Sequence, residues 1–468
     1  MSRVVIVGGG IAGLAAAHEL ARHPEADVVL LEAGPRLGGK IETQPFAGLP
    51  VELGPDTFLA RVPWAVDLCK ELGLSDELVS PEQTTAYLWV RGALRRLPEA
   101  HVLGVPTDFD QLAASGVVSP EAVEIARRDL DHPEDAPGQL PGGGPEGDCS
   151  VGELIRSRLG DEVLERIVDP LIGGINAGDA DRLSVAAAAP QIAGAARQNA
   201  SLVRGLLAMK AAAPPDPGTP MFYSLPGGLQ RLVDRVVDAI SADVHLGTPA
   251  TGIERRAGGG YQVHTAGGPI EADAVVLASP AFADARLLGA VAPEPAATLG
   301  AIDYSSVALV TLAVPAEAVE RPLDASGYLV PRTEGCLITA CTWASSKWAH
   351  LAAPGQVLLR ASAGRYGDER IADLDDEALV AAVREDLGTT MGLDAEPTDL
   401  RVVRWTDSFP QYTPGHLQRM SALDEQLAAE VPGVVLAGAV QKGVGIPACI
   451  RQGREAATAV LAATGAGA

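Results

Sequence analysis

Gly8-Gly9-Gly10-Ile11-Ala12-Gly13 matches G-x-G-x-x-G, and Glu32 lies nineteen positions after Gly13. These residue types at this spacing can hold the pyrophosphate and ribose of a dinucleotide. Gly8 allows a tight turn, Gly10 lets backbone approach a pyrophosphate, and Gly13 lets a helix pack close to a strand. The Glu32 carboxylate would accept hydrogen bonds from ribose hydroxyls and repel a 2′-phosphate, which disfavours NADP. The bland alternative is a glycine-rich turn without a ligand. Ala33-Gly34-Pro35-Arg36-Leu37-Gly38-Gly39-Lys40 then supplies basic residues and a flexible Gly-Gly beside the expected phosphates, followed by the loop Glu52-Leu53-Gly54-Pro55-Asp56-Thr57.

Other chemistry-bearing residues are less concentrated. Arg91, Arg95 and Arg96 fall in one short stretch, read either as a charged hairpin edge or as an anchor for an anionic substrate. The eight histidines form no H-x-x-x-H or triad-like set, so no metal site and no general base is assigned. His416 is read as fixing a loop. Five scattered cysteines, Cys69, Cys149, Cys336, Cys341 and Cys449, give no disulfide framework and point to a reducing compartment.

The elements that must position these residues can be read from pattern. Arg3–Val7 is a buried-strand run, Leu14–Ala21 is rich in helix formers, and Asp27–Leu31 is a second strand, which makes a β-α-β unit. Val62–Leu74 reads as a helix. Tyr87–Val90 and Ala93–Leu97 read as a hairpin about Arg91-Gly92. Helical patterns dominate from about 104 to 213, with a capping box at Ser150 and Glu153 and breakers at 142–145 and 213–218. Short strands recur from Val244 to Ser279 and from Asp303 to Arg360. Val434–Gly438 returns to the buried-strand pattern, and Gly443-Val444-Gly445-Ile446-Pro447 opens a last helix.

The 468 residues allow two or three structural units, and 47% hydrophobic content describes a globular chain. A net charge of −24 excludes an evenly basic nucleic-acid binder and disfavours polybasic membrane attachment. No apolar run approaches eighteen residues and no signal peptide is evident, so the expected location is the cytoplasm, without stable membrane insertion.

The stretch E-x-G-x-R-x-G-G at Glu32–Gly39 resembles the flavoprotein family containing monoamine oxidases, phytoene desaturases and protoporphyrinogen oxidases. Later stretches resemble, more narrowly, the oxygen-dependent porphyrinogen oxidases. They are Pro170–Asp179, Leu225–Leu229, Ser345–Trp348, Gly364–Gly367, Trp405 with Pro410–His416, and Gly443–Ile450. High Ala, Gly and Arg usage resembles the Gram-positive, actinobacterial type, which favours coproporphyrinogen III over protoporphyrinogen IX.

The resemblance implies a mixed α/β and α+β fold. A Rossmann-like FAD-binding domain would be assembled from 1–81, 222–285 and 430–468, with a sheet-based substrate domain at 286–429 and a mostly helical insertion at 82–221. FAD would meet Gly8, Gly9, Gly10, Ile11, Ala12, Gly13, Glu32, Ala33, Arg36, Gly39, Lys40, Gly54, Pro55, Asp56, Thr57, Val244, Trp405, Gly443, Val444, Gly445 and Ile446. The backbone at Val244 would meet the adenine. Amides at Gly443–Ile446 would face the flavin pyrimidine edge. Substrate propionates would need local cations, for which Arg61, Arg95, Arg96 and Lys347 are candidates, with Asn176 and Tyr366 nearby.

The implied reaction removes six hydrogens from a porphyrinogen in three two-electron steps, with O2 as acceptor and H2O2 as product. The next haem-pathway enzyme would be a transient partner. Two residues depart from the family pattern: Asn176 and Gln441 stand where Tyr is usual. This leaves open a paralogue acting on another substrate, an amine oxidase, or a flavin-binding interaction protein without turnover.

Overall fold

A computed structural model describes residues 2–132, 140, 147–212 and 218–465. The glycine-rich loop at 142–145 and most of the breaker cluster at 213–218 lie outside the described residues. The chain forms two compact units. One comprises Met1–Ser80, Thr219–Asp303 and Leu417–Ala468; the other comprises Pro81–Gly218 and Tyr304–His416.

The first unit is built on five parallel strands: β1 (Ser2–Val7), β2 (Ala26–Leu31), β3 (Asp243–His245), β4 (Ala274–Leu277) and β5 (Val434–Leu436). Their spatial order is β3-β2-β1-β4-β5. A parallel sheet covered on both faces needs apolar residues at successive positions. Val4, Val5 and Ile6 of β1 and all four residues of β4 are accordingly buried. Helix α1 (Ile11–Leu20) follows β1 and helix α2 (Ile446–Thr464) follows β5. Both helices start beyond the carboxyl ends of parallel strands, so both amino ends lie at the same sheet edge. Their packing is close: a Cβ on Gly453 would lie 2.1 Å from the Ala12 carbonyl oxygen.

The second unit contains a seven-stranded sheet. Its order is Asp399–Pro410, Tyr304–Pro315, Gln356–Ala363, Ile338–Trp343, Gly327–Leu329, Tyr87–Val90 and Ala93–Arg96. Only the Gly327–Leu329 and Tyr87–Val90 pair is parallel. The expected hairpin turns at Arg91 and Gly92, with φ of 53° and 71°, the two left-handed residues that suit a two-residue turn. A helical cluster built from 109–131 and 151–212 has its own core, including Leu112, Leu154, Ile167, Ile192 and Leu206. Ser150 caps helix Val151–Leu159 through a 3.0 Å bond accepted from the Glu153 amide.

This division differs from the expected three parts. The stretch expected as a helical insertion contributes two strands to the seven-stranded sheet, and Leu88 and Val90 of that hairpin belong to the helical core. Hydrogen bonding and packing therefore join helices and sheet into one unit. Residues 286–303 and 417–429, expected with the sheet, fall in the parallel-strand unit.

Candidate functional site

The glycine turn joins β1 to α1. A Cβ on Gly13 would lie 1.9 Å from the Gly8 carbonyl oxygen, so strand and helix touch through backbone there. Gly10 is the opposite case: a Cβ there would meet nothing within 4 Å. The missing side chain therefore leaves open space in front of the helix. Gly10 is the α1 N-cap and makes no side-chain cap bond. The first-turn amides of Ile11, Ala12 and Gly13 thus lack intrahelical acceptors, and the helix end carries partial positive charge. Open space before an uncapped helix end fits a pyrophosphate.

Glu32 directly follows β2 and is fixed from both sides. Its Oε2 accepts from the Gly9 amide at 2.8 Å and its Oε1 from the Gly34 amide at 2.6 Å. A carboxylate can accept about four hydrogen bonds, so both oxygens keep capacity for ribose hydroxyls. The Glu32 amide donates to the His245 carbonyl at 2.9 Å, which sets Val244 on the neighbouring edge strand.

Arg36, expected beside the phosphates, holds its own loop together. Its terminal nitrogens donate to the carbonyls of Leu37, Ile41 and Gly39 and pair with Glu42. The guanidinium thus ties residues 36–42 into a loop, and Gly38 donates back to Gly9 at 2.8 Å. Gly39 faces Gly10, and Ala33 is exposed beside the pinned Glu32. Lys40 is exposed, yet surrounding protein pushes its ammonium pKa below the ordinary lysine value, with Cys449 acting in the opposite direction. A side chain in a cleft wall combines these properties.

Gly54, Pro55, Asp56 and Thr57 follow Glu52, a buried carboxylate that the sequence places in this loop without assigning it a role. Glu52 accepts from the Leu229 amide at 2.6 Å and from the Thr43 hydroxyl at 2.8 Å, anchoring this loop to the start of helix Gln230–Ala239. A lone acid in the apolar run Val51–Leu53 was the available signal. Thr57 Oγ1 is buried without a hydrogen-bond partner. An orphaned hydroxyl in a cofactor loop fits a ligand that would complete it.

Gly443, Val444, Gly445 and Ile446 lead into α2, whose N-cap Gly445 also lacks a side-chain cap bond. Pro447 has no N–H, so Ile446 and Ala448 supply the first-turn donors. Gln452, also missed from sequence, holds this loop: its Oε1 accepts from the Lys442 amide at 3.3 Å, and its Nε2 donates to the Ala448 carbonyl at 3.0 Å. Gln441 is buried and donates to Asp424 at 2.9 Å, so the amide standing in the usual Tyr position has a defined partner. The residues of this unit fit a flavin dinucleotide. Trp405 belongs to the other unit, in strand Asp399–Pro410 opposite Val307.

The substrate candidates are scattered. Arg61 is exposed in the parallel-strand unit. Arg95 and Arg96 are successive strand residues and so point to opposite faces. Arg96 pairs with Asp324 at 2.7 Å and lies over the Tyr87 ring. Arg95 pairs across the hairpin with Leu88 of the helical core, and its buried Nε has no partner.

Lys347 lies beyond the Trp343 end of its strand, with Nζ 5.4 Å from the Trp348 ring centre. Tyr366 lies beyond Ala363, which pairs with Ile338 at the opposite end. Five residues of strand, roughly 16 Å, separate those ends. Asn176 and Tyr366 do come together: the Tyr366 amide donates to the Ala177 carbonyl at 2.8 Å. The Asn176 side chain turns back to donate to the Ile172 carbonyl, and Gln411 donates to the Asn176 carbonyl. His416 is buried and stacks on Tyr412 at 4.2 Å between ring centres. Among the described residues no acidic, His or Cys cluster could hold a metal, and no helix is long and apolar enough to cross a membrane.

The flavin containing amine oxidoreductase family matches residues 11–461, and the chain belongs to that family. It is therefore a flavin-dependent oxidoreductase. Within the family it is similar to the coproporphyrinogen III oxidase of Bacillus subtilis, 37% identical over 98% of this chain and 97% of that one. The coproporphyrinogen III oxidase of Mycobacterium tuberculosis is 36% identical over the same shares. A solved structure of a putative protoporphyrinogen oxidase from Exiguobacterium sp. 255-15 matches with a TM-score of 0.87, at 35% identity over 98% of each chain.

Proposed function

We propose that the chain is an FAD-dependent oxidase that converts coproporphyrinogen III to coproporphyrin III in haem biosynthesis, in preference to protoporphyrinogen IX. The carrying observation is likeness to coproporphyrinogen III oxidases along nearly the whole chain, at 37% identity for the Bacillus subtilis enzyme. The cradle agrees with it. The space before Gly10, the fixed Glu32 and the orphaned Thr57 hydroxyl suit the two nucleotide halves of FAD. Bound there, FAD supplies a two-electron acceptor for each of three dehydrogenation steps.

The chain's own groups orient and polarise. Glu32 holds ribose hydroxyls, α1 presents amides to the pyrophosphate, and Ile446 and Ala448 direct N–H groups from the uncapped end of α2. Such donors stabilise developing negative charge without reorganising during the reaction. In this reading O2 is the final acceptor and H2O2 the product, the enzyme works in the cytoplasm, and the product passes to the next haem-pathway enzyme by transient contact. The side-chain amides of Asn176 and Gln441 each donate within their own unit, to the Ile172 carbonyl and to Asp424.

An anaerobic titration with coproporphyrinogen III and protoporphyrinogen IX, side by side, tests the reading. Bleaching of bound flavin by both, faster with coproporphyrinogen III, is expected. Absence of bleaching with either would overturn it.

A further inference from the structure

Three arginines and two aspartates meet where the loop after strand Gln356–Ala363 lies against helix Asp169–Asn176. Arg332 pairs with Asp169 at 3.3 Å and also donates to the carbonyls of Tyr366 and Gly178 at 3.2 and 2.6 Å. Arg370 pairs with Asp368 at 2.6 Å. Arg365 is the odd charge. It is 9% exposed, its Nε is buried without a partner, and it makes no side-chain hydrogen bond or ion pair among the described residues. The charges acting on it, strongest first, are Arg332, Asp169, Asp368 and Arg370, and both acids are already engaged.

A buried, unpaired cation is unfavourable, and an arginine cannot relieve the cost by losing its proton. Burial also pushes the Asp169 carboxyl pKa up, which weakens the nearest counter-charge. The π-helical turn Leu164–Val168, a feature frequent at functional sites, precedes helix Asp169–Asn176. The Ala177 carbonyl after that helix receives the Tyr366 amide, which fixes the loop carrying Arg365.

We infer that Arg365 is a seat for one carboxylate arm of the substrate. This rests on the proposed porphyrinogen reading and names a residue that would recognise one propionate. The planar guanidinium fork matches a carboxylate in two parallel hydrogen bonds. Residual exposure leaves the seat reachable. Asn176 lies one residue before the carbonyl that holds this loop, so the seat adjoins an expected substrate position. The Tyr366 backbone clamps this loop, and its ring lies under Arg182 at 4.8 Å.

The test uses flavin-loaded wild type, Arg365→Gln and Arg365→Lys. Coproporphyrin III and its tetramethyl ester are titrated by fluorescence, and KM is measured with coproporphyrinogen III. Arg365→Gln is expected to raise Kd and KM for the tetra-acid at least tenfold. Ester binding and flavin content should stay unchanged. Arg365→Lys, which keeps charge but loses the fork, should fold normally and fall between.

Equal losses for acid and ester, or unchanged acid binding, would overturn the seat. A thermal shift with acetate that is lost in Arg365→Gln, without a change in porphyrin affinity, would assign the seat to a free anion and also overturn it. If wild-type flavin is bleached by coproporphyrinogen III while Arg365→Gln binds normally, only the seat fails. If wild-type flavin is never bleached, the functional reading itself fails.

Discussion

In the unit built on five parallel strands, the groups left for a ligand are mostly backbone. They are the uncapped first turns of α1 and α2 and the open face of Gly10, joined by two side chains, the Glu32 carboxylate and one orphaned hydroxyl at Thr57. In the unit built on the seven-stranded sheet they are side chains, and most are already committed. Arg96 is held by Asp324, Arg332 by Asp169, and Arg370 by Asp368. Backbone donors at a helix end are supplied by the fold itself and cannot be moved to another residue. Side-chain charges are available to a ligand only when local charge balance leaves one over. The first unit can therefore hold a cofactor through its fold, while on the proposed reading recognition in the second depends on a cation that its neighbours leave over, Arg365.

The sharpest test separates two glycines of one motif. Gly13→Ala places a Cβ 1.9 Å from the Gly8 carbonyl oxygen. Strand and helix must part, at a cost of about 3 kcal/mol or more. Flavin should be nearly absent from the purified protein, with thermal unfolding well below wild type. Gly10→Ala meets only open space, and its backbone, φ −70° and ψ 175°, suits alanine. It should fold normally and bind flavin at least about tenfold more weakly, which corresponds to about 1.4 kcal/mol. Full flavin occupancy in Gly10→Ala would remove the pyrophosphate from that space.

The next effect concerns buried acids, which the two units handle differently. Asp169 has Arg332 beside it, whereas Asp284 is fully buried with one oxygen bonded by Ser279 and the other without a partner. Burial holds the Asp284 pKa well above its ordinary value. The folded protein then binds this proton more tightly than the unfolded chain does. The stabilisation is full below the unfolded carboxyl range and is lost as pH rises toward the raised pKa. The limiting slope is about 1.4 kcal/mol per pH unit. Denaturant unfolding at successive pH values should show this decline in wild type and a flatter profile in Asp284→Asn. Identical profiles would mean that Asp284 ionises freely.

How much of this was legible in sequence follows from the same contrast. The turn Gly8–Gly13 with Glu32 could be read because its demands are local: a close approach, a turn and a helix start, all within one short segment. Arg36 was recognisable as a cation, but its use as a loop tie depends on carbonyls whose direction only the folded chain sets. The alternation of Arg95 and Arg96 was available from the hairpin pattern and already argues against both serving one face. Arg365 sits in the recognisable Gly364–Gly367 stretch, where the pattern alone does not set it apart from its neighbour Tyr366. Its excess charge appears only when segments near 169, 332 and 370 meet. The division into units was hidden for a related reason: strand partners distant in sequence carry the helical stretch into the sheet.

Thr57→Val replaces the orphaned hydroxyl by a methyl of the same shape. If the hydroxyl serves only the protein, losing a buried, unpartnered group should leave stability equal or slightly higher. If it completes a bond to flavin, the flavin Kd should rise about fivefold, close to 1 kcal/mol, while the flavin-free protein stays as stable. Flavin fluorescence on release and thermal unfolding of the flavin-free protein measure the two outcomes separately. Unchanged flavin affinity would take Thr57 out of the cradle.

The smallest expected effect belongs to Arg96, and its smallness is the informative part. Its guanidinium is well exposed, bound to an equally exposed Asp324, and laid over the Tyr87 ring. Exposed pairs of this kind contribute about 0–1 kcal/mol. Arg96→Ala should therefore change stability by less than about 1 kcal/mol and KM for coproporphyrinogen III by less than about twofold. Arg95, with a buried and unpartnered Nε on the other face, is the member of the pair whose loss should be felt. A large KM change in Arg96→Ala would mean that Asp324 yields its partner to substrate. The distinction between committed and surplus cations in this unit would then have to be redrawn.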